Sequence, residues 1–287
     1  MLVGDCATGK VVCVAPSDSI DTAIVLMEEH GVHHLPVVSG DQVVGMLSDR
    51  DVLFAVGWNL AGQRFQSDYD SISDHVPMHI YEIMSRPVVR VLADDTVRHA
   101  ARIMVDRRIG ALPVLLRDRV SGILTETDLL RRLEERAQFE GPARDFLSQP
   151  VGELMRGSLI TVEPHTSLGR LVELIQRRRI RHLPVVSDGT LVGMISDRDI
   201  RRALGERNWL GEAGARGAVY FDHSPAARDI MSRDVQTVSL HHTVADAVHR
   251  LLSRRIHALP VCRAEREAVG IVTQTDVVLE IARADLF

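Results

Sequence analysis

Seven residues recur four times along the chain, and they constrain its fold more than any other feature. Gly45–Asp51 reads Gly-Met-Leu-Ser-Asp-Arg-Asp, Gly122–Asp128 reads Gly-Ile-Leu-Thr-Glu-Thr-Asp, Gly193–Asp199 reads Gly-Met-Ile-Ser-Asp-Arg-Asp and Gly270–Asp276 reads Gly-Ile-Val-Thr-Gln-Thr-Asp. Each follows a Leu-Pro step, at Leu35-Pro36, Leu112-Pro113, Leu183-Pro184 and Leu259-Pro260. From leucine to leucine the spacings are 77, 71 and 76 residues. A pattern that returns with its internal order intact defines a repeat architecture.

The repeats are themselves duplicated. Asp51 and Asp199 are 148 residues apart, as are Asp128 and Asp276. Residues 3–16 align with 151–164 at that same offset, through Gly9 with Gly157 and Val14-Ala15-Pro16 with Val162-Glu163-Pro164. The chain therefore reads as two modules, 1–140 and 147–287. The first contains repeats of about 1–57 and 78–138, the second repeats of about 147–205 and 226–287. Within repeat 1 the pattern predicts a short extended run at 11–14 and a helix from Ile20, capped by Asp18-Ser19 and stopped at Gly31. A hairpin of strands at 34–38 and 43–47 follows, then a second helix opened by Ser48. The corresponding helices fall near 97–107 and 128–138, 168–178 and 199–204, and 244–253 and 276–284. One repeat of about fifty residues is too small for a secure core, whereas two can share one. Residues 57–80 and 205–226 connect the repeats inside each module, and 139–150, with Gly141, Pro142 and Pro150, reads as a hinge between modules.

Composition excludes several classes. Lys and Arg total 34 against 39 Asp and Glu, a net charge of −5, which lacks the concentrated basic surface of a nucleic-acid binder. Three cysteines without a Cys-x-x-Cys pair read as reduced thiols. No apolar run approaches the roughly 20 residues of a membrane span, and the first residues lack the blocks of a signal peptide, so a cytoplasmic location is expected. Gly4–Val11 approaches a phosphate-binding P-loop but has Val11 where the magnesium-binding hydroxyl belongs. His33-His34 and His241-His242 are adjacent pairs without ligand spacing, so no metal site is expected. Ser48 and Ser196 lie outside any Gly-x-Ser-x-Gly elbow, which argues against a hydrolase. The Arg131-Arg132 and Arg177–Arg179 runs read as solvated helix faces.

The central motif has two readings. Ser or Thr followed three residues later by Asp is a helix capping box, which applies to Ser48 with Asp51, Thr125 with Asp128, Ser196 with Asp199 and Thr273 with Asp276. The same acid, on a helix N-terminus at a strand end, also suits a ribose, and the free amides suit phosphate. Basic or small residues stand just before each Leu-Pro step: His33-His34, Gly110-Ala111, Arg181-His182 and His257-Ala258. Capping alone does not demand Asp in all four copies.

These residues resemble the cystathionine beta-synthase domain family, whose paired domains are called Bateman modules. The resemblance covers nearly the whole chain. It rests on the order of the extended Thr-Val step, the Leu-Pro-Val strand and the Gly-x-x-[Ser/Thr]-x-x-Asp end. It implies an α+β fold of four βαββα repeats, paired into two modules in a flat, disk-like assembly closed within one chain or as a homodimer. It also implies clefts for adenosine-containing ligands (AMP, ADP, ATP, NAD or S-adenosylmethionine), with Mg2+ carried in on ATP phosphates, and regulation of a partner protein rather than catalysis.

The resemblance implies composite clefts. Asp276 with Thr273 and Thr275 would face Thr161 and Arg181-His182. Asp199 with Ser196 would face Thr237 and His257. Asp128 with Thr125 and Thr127 would face Cys13 and His33-His34. Asp51 with Ser48 would face Arg90 and Gly110-Ala111. Cys13 and Arg90 depart from the family's Thr, and Arg50 and Arg198 stand where a small residue is common, to bind phosphate or to fill the cleft. The resulting order of clefts is Asp276 first, Asp199 and Asp128 next, and Asp51 last. A dimerisation scaffold with empty clefts is the alternative.

Overall fold

A computed structural model describes residues 1–53, 55, 78–205, 225–264 and 266–287. Most of the two connectors inside the modules, 57–77 and 206–224, including Trp58-Asn59-Leu60 and Asn208-Trp209-Leu210, lies outside them. Helix α1 (Ile20–His30) starts where Ser19 accepts the Thr22 amide and stops at Gly31, whose φ of 62° is the left-handed conformation of a helix C-cap. Strands β1 (His34–Ser39) and β2 (Gln42–Ser48) form an antiparallel hairpin. Repeat 2 adds β3 (Val91–Leu92), α2 (Val97–Arg107), β4 (Ala111–Leu116), β5 (Arg119–Thr125) and α3 (Glu126–Arg136). A linking helix, α4 (Pro142–Leu147), precedes repeat 3: α5 (Leu168–Arg178), β6 (His182–Ser187), β7 (Thr190–Ser196) and α6 (Asp197–Gly205). Repeat 4 holds β8 (Val238–Ser239), α7 (Val244–Ser253), β9 (Ala258–Cys262), β10 (Ala268–Thr273) and α8 (Gln274–Arg283).

In every repeat the first extended segment runs parallel to the second, and the second pairs antiparallel with the third. Val91 pairs with Val114 and Val238 with Val261 as short strands. In repeats 1 and 3 the expected first strand shrinks to one bridge, Val14 with Val37 and Val162 with Val185. The second helices start at Glu126, Asp197 and Gln274, about two residues earlier than their apolar spacing predicts, because Ser or Thr is the cap itself.

The segment leading into each repeat completes the sheet of its partner. Residues 2–8 pair with repeat 2, where Leu2 bridges Thr96 and Thr8 bridges Ile123. Residues 79–85 pair with repeat 1, through Ser19 with His79 and Met46 with Ser85. The second module repeats the exchange, with Pro150 on Thr243 and Arg156 on Ile271, and Ala226 on Ser167 and Ser232 on Met194. These segments cover the outer edge of each hairpin, an edge otherwise left with unpaired amides and carbonyls. The motif glycine makes the crossing possible. A side chain at Gly193 would overlap the Met231 sulfur, whereas a Cβ at Gly122 would meet the smaller Ala7 at 3.2 Å.

Two cores hold the four repeats together within one chain. Repeats 1 and 3 share one, built on Ile20, Leu35, Leu47, Leu171, Leu183 and Ile195. Repeats 2 and 4 share the other, in which α8 packs against α2 and α3. The stretch expected as a hinge is instead structured. Gly141 and Pro142 start α4, whose Ala143, Phe146 and Leu147 are buried in the second core. Pro at the first helical position suits a helix start, and the apolar face then has a core to enter. Among the described residues no helix is long and apolar enough to cross a membrane. Phe146 is 7% exposed, so Phe146→Ala is expected to lower unfolding stability by about 3 kcal/mol in urea titrations; a loss below about 1 kcal/mol would show that the linker does not contribute to the core.

Candidate functional site

The carboxylates of the motif divide their two oxygens between two tasks. In each repeat Oδ2 closes the capping box. Asp128 Oδ2 accepts from the Thr125 amide at 2.9 Å and its hydroxyl at 2.6 Å. Asp199 does the same with Ser196 at 2.8 and 2.6 Å, Asp51 with Ser48 at 2.8 and 2.6 Å, and Asp276 with Thr273 at 2.8 and 2.7 Å. The capping reading of the motif is therefore correct, and it leaves Oδ1 over in each copy.

What Oδ1 meets differs from repeat to repeat. Asp199 Oδ1 has no hydrogen-bond partner among the described residues. Asp128 Oδ1 receives only a long contact from the Thr8 hydroxyl at 3.4 Å, with Arg131 Nη1 at 3.8 Å. Asp276 Oδ1 is bound by Arg156 Nε at 2.6 Å. Thr8 and Arg156 are the same position in the duplicated pattern, each delivered by an exchanged segment.

Asp128 and Asp199 line one cavity of about 810 Å³. Its lining includes Thr8, Lys10, His33, His34, Thr125 and Thr127 from the first module and Ser196, Arg198, Arg202, Gln236, His257 and Pro260 from the second. Arg181 and His182, expected opposite Asp276, line this cavity as well. Asp128 with His33-His34, and Asp199 with His257, are all among the residues that line this one cavity. Thr237 and Cys13 are not among the lining residues; Thr237 gives its carbonyl to Arg250 at 2.6 Å, and Gln236 takes the neighbouring place. Thr161 lines a separate cleft of about 610 Å³ in repeat 3 with Glu163 and Arg170. The Thr127 and Thr275 hydroxyls, expected to serve the clefts, tie repeats 2 and 4 together through Gln274 at 3.2 Å and Glu126 at 2.8 Å. Asp51 and Ser48 lie outside both cavities, and Asp51, beside Arg50, is pushed up by burial and held back by its Ser48 bonds.

The residue after Ser or Thr in each motif, which its variability made look incidental, points to where the repeats meet. These are Asp49, Glu126, Asp197 and Gln274, all lining the cavity. Burial raises Asp49 and Glu126, and burial followed by the Asp49 charge pushes Asp197 up to about 6. Arg198 Nη2 reaches His33 Nε2 at 2.7 Å, and its buried Nε has no hydrogen bond among the described residues. His33 and His257 meet edge to face at 5.7 Å. Burial first, and neighbouring arginines second, hold His33 and His257 down to about 4. His34 and His182 are lowered to about 3, again by burial above all. The imidazoles are thus neutral at physiological pH, able to donate and to accept, while the positive charge comes from Lys10, Arg131, Arg181, Arg198, Arg202 and Arg255. Arg131, read from its run as a solvated face, borders the cavity. Lys10 was visible only inside the failed P-loop pattern, and Thr8 and Arg156 could have been found by asking what the offset of 148 places beside each glycine.

Fold and cavity together define a class: a repeat protein in which helix N-termini bearing carboxylates converge on a polar cavity shared between repeats. The chain belongs to the CBS domain family, whose model matches residues 3–57, 80–135, 151–206 and 227–283, more than three quarters of the sequence. It is 26% identical over 275 residues to the uncharacterised protein MJ1225 of Methanocaldococcus jannaschii, covering 93% of this chain and 94% of that one. A protein of 33.4 kDa in the ribosomal RNA operon of Thermofilum pendens is 30% identical over 298 residues, covering 99% of this chain and 93% of that protein. The human 5'-AMP-activated protein kinase subunit gamma-3 is 27% identical over 212 residues, which cover 68% of this chain and 40% of that subunit. The crystal structure of MJ1225 superimposes with a TM-score of 0.82 at 24% identity, over 98% of this chain and 100% of that one, and so shares the fold.

His34 faces Arg181, His33 and His257, and its folded value near 3 lies below the roughly 6.5 of an unfolded histidine. Its neutral ring therefore contributes stability that is complete above about pH 6.5 and drains as pH falls toward 3. His34→Gln is expected to gain on the wild type by about 1 kcal/mol between pH 7 and pH 5, allowing for solvent screening of a partly exposed group. Denaturant titrations at the two pH values read this; a pH-independent difference would contradict it.

Proposed function

We propose that the chain is a regulatory protein that binds an adenosine-containing ligand in the Asp128–Asp199 cavity and conveys its occupancy to a partner protein. AMP, ADP and ATP are the first ligands of the class, with NAD and S-adenosylmethionine beside them. The reading is carried by the divided carboxylate: Oδ2 is committed to the cap, while Oδ1 is left to accept from the vicinal hydroxyls of a ribose. Lys10, Arg131, Arg181 and Arg198 supply charge for phosphates, and any divalent cation would arrive on those phosphates. Membership of the CBS family and likeness to a kinase subunit named for AMP support the same ligand class.

The role is regulatory rather than enzymatic, because the matched repeats account for the first core, most of the second and the whole lining of the cavity. Both sides of the cavity come from one chain, so a homodimer is not needed to complete it. Regulation would follow from a difference in ligand affinity between arrangements of the repeats. The order of clefts now departs from the one read in the sequence: Asp128 and Asp199 lead, and Asp276 falls behind them because its second oxygen is engaged by Arg156.

Calorimetric titration of AMP, ADP, ATP, NAD and S-adenosylmethionine, with and without Mg2+, into protein stripped of nucleotide tests the reading. Micromolar binding of at least one ligand is expected. Asp128→Ala should weaken it tenfold or more, about 1.4 kcal/mol, and Asp51→Ala less than twofold. Asp128→Asn, which keeps an acceptor for the cap, separates lost binding from lost helix stability. No uptake of any of the five would refute the reading and leave a scaffold with empty clefts.

A further inference from the structure

Cleft for cleft, the two modules are copies, yet the position that looks onto the spare carboxylate oxygen is Thr8 in one and Arg156 in the other. Both residues arrive the same way, on a segment paired antiparallel with the third strand of the partner repeat, Thr8 on Ile123 and Arg156 on Ile271. Both lie beside the motif glycine, where the Thr8 carbonyl stands 3.1 Å from a Cβ built on Gly122 and the Arg156 carbonyl 3.0 Å from one built on Gly270. The backbone frame is therefore shared, and only the side chains differ. Thr8 is short and reaches Asp128 Oδ1 at 3.4 Å, a distance at which the oxygen stays open to a competing donor. Arg156 is long and cationic, and its Nε closes on Asp276 Oδ1 at 2.6 Å, a charge-assisted bond. The preceding residue differs too. Ala7 sets only a methyl against Gly122, 3.2 Å from a Cβ built there, whereas Met155 lays its longer side chain onto Gly270.

We infer that Arg156 is a built-in occupant of the Asp276 cleft, holding the carboxylate oxygen that a ribose would need and closing that copy of the site to ligand. The arginine is 62% exposed while the aspartate is 4% exposed. The guanidinium thus keeps much of its hydration and satisfies a carboxylate that is almost wholly removed from water, an arrangement a neutral ribose hydroxyl has to outcompete. With Thr8 in the same place, the cation nearest to the Asp128 oxygen among the described residues is Arg131, whose Nη1 stays at 3.8 Å, beyond hydrogen-bond distance. The duplication therefore yields two unequal sites from one pattern, and the residue just ahead of Gly9 and Gly157 determines which is open. This inference rests on the functional reading above, because it concerns which clefts of that kind accept ligand.

The test counts sites with AMP as the probe. Wild-type protein and Arg156→Thr are titrated by calorimetry under identical conditions. Arg156→Thr is expected to raise the stoichiometry by one AMP per chain, and Asp276→Ala in that background is expected to remove the added site while leaving the original binding. The reciprocal variant, Thr8→Arg, is expected to weaken binding dependent on Asp128 at least tenfold, and it tests the idea independently should Arg156→Thr fold poorly. AMP binding by the wild type with unchanged stoichiometry in Arg156→Thr, or full affinity in a folded Thr8→Arg, overturns the inference and leaves the functional reading intact. Absence of any AMP binding in the wild type and in Arg156→Thr overturns the inference by a different route, and the remaining ligands then decide the functional reading.

Discussion

No repeat of this chain finishes its own sheet, and most of what distinguishes the molecule depends on that. A hairpin of six- or seven-residue strands such as β1–β2 has one edge beside the first extended segment and another that needs covering. The cover comes from the segment ahead of the partner repeat, through bridges such as Met46 with Ser85 and Met194 with Ser232. Exchange of this kind makes two repeats inseparable as a folding unit. Hydrophobic burial then ties the units together, with repeats 1 and 3 on one core and repeats 2 and 4 on the other. The linking helix α4 is recruited to the second core by Phe146 and Leu147.

Where the repeats meet, the interior is polar, and it tolerates its charges by balancing them. The cavity is lined by Asp49, Glu126, Asp128, Asp197, Asp199 and Asp234 against an equal number of lysine and arginine side chains. Partial burial raises acids such as Asp197 and lowers the four histidines, because both ionised forms lose hydration there. Hydrogen bonds such as Thr275 to Glu126, and the Arg198–His33 contact, run between repeats from different modules. The cavity lining and the junction between modules are consequently built from some of the same side chains.

Much of this was legible in the sequence, for reasons particular residues make plain. The first helices of repeats 2, 3 and 4 fall where apolar spacing and capping residues put them, at 97–107, 168–178 and 244–253. Thr96, Ser167 and Thr243 cap them locally, so short-range rules suffice. The motif acids and the histidines at 33 and 34 were also recoverable, since an internal repeat acts as its own alignment. The exchanged segments were not, because which repeat a leading strand joins is a matter of topology. The structured linker was missed because Gly141 and Pro142 signal a break and a helix start with the same letters. The two different environments of Asp128 and Asp276 were missed because the partner residues, Thr8 and Arg156, sit 120 positions away along the chain in each case.

The divided carboxylate has a consequence for how repeat proteins of this kind are counted. In each copy one oxygen belongs to the helix start and the other to whatever stands opposite. The acid at position 276 thus still closes its helix cap while an arginine holds its outer oxygen. If Arg156 closes its cleft as inferred, persistence of the motif is a record of architecture, and occupancy is written in a neighbouring strand. A tally of aspartates would then overstate the number of small molecules such a chain can hold, and two modules that look identical by their signature would have diverged in capacity through one side chain outside it.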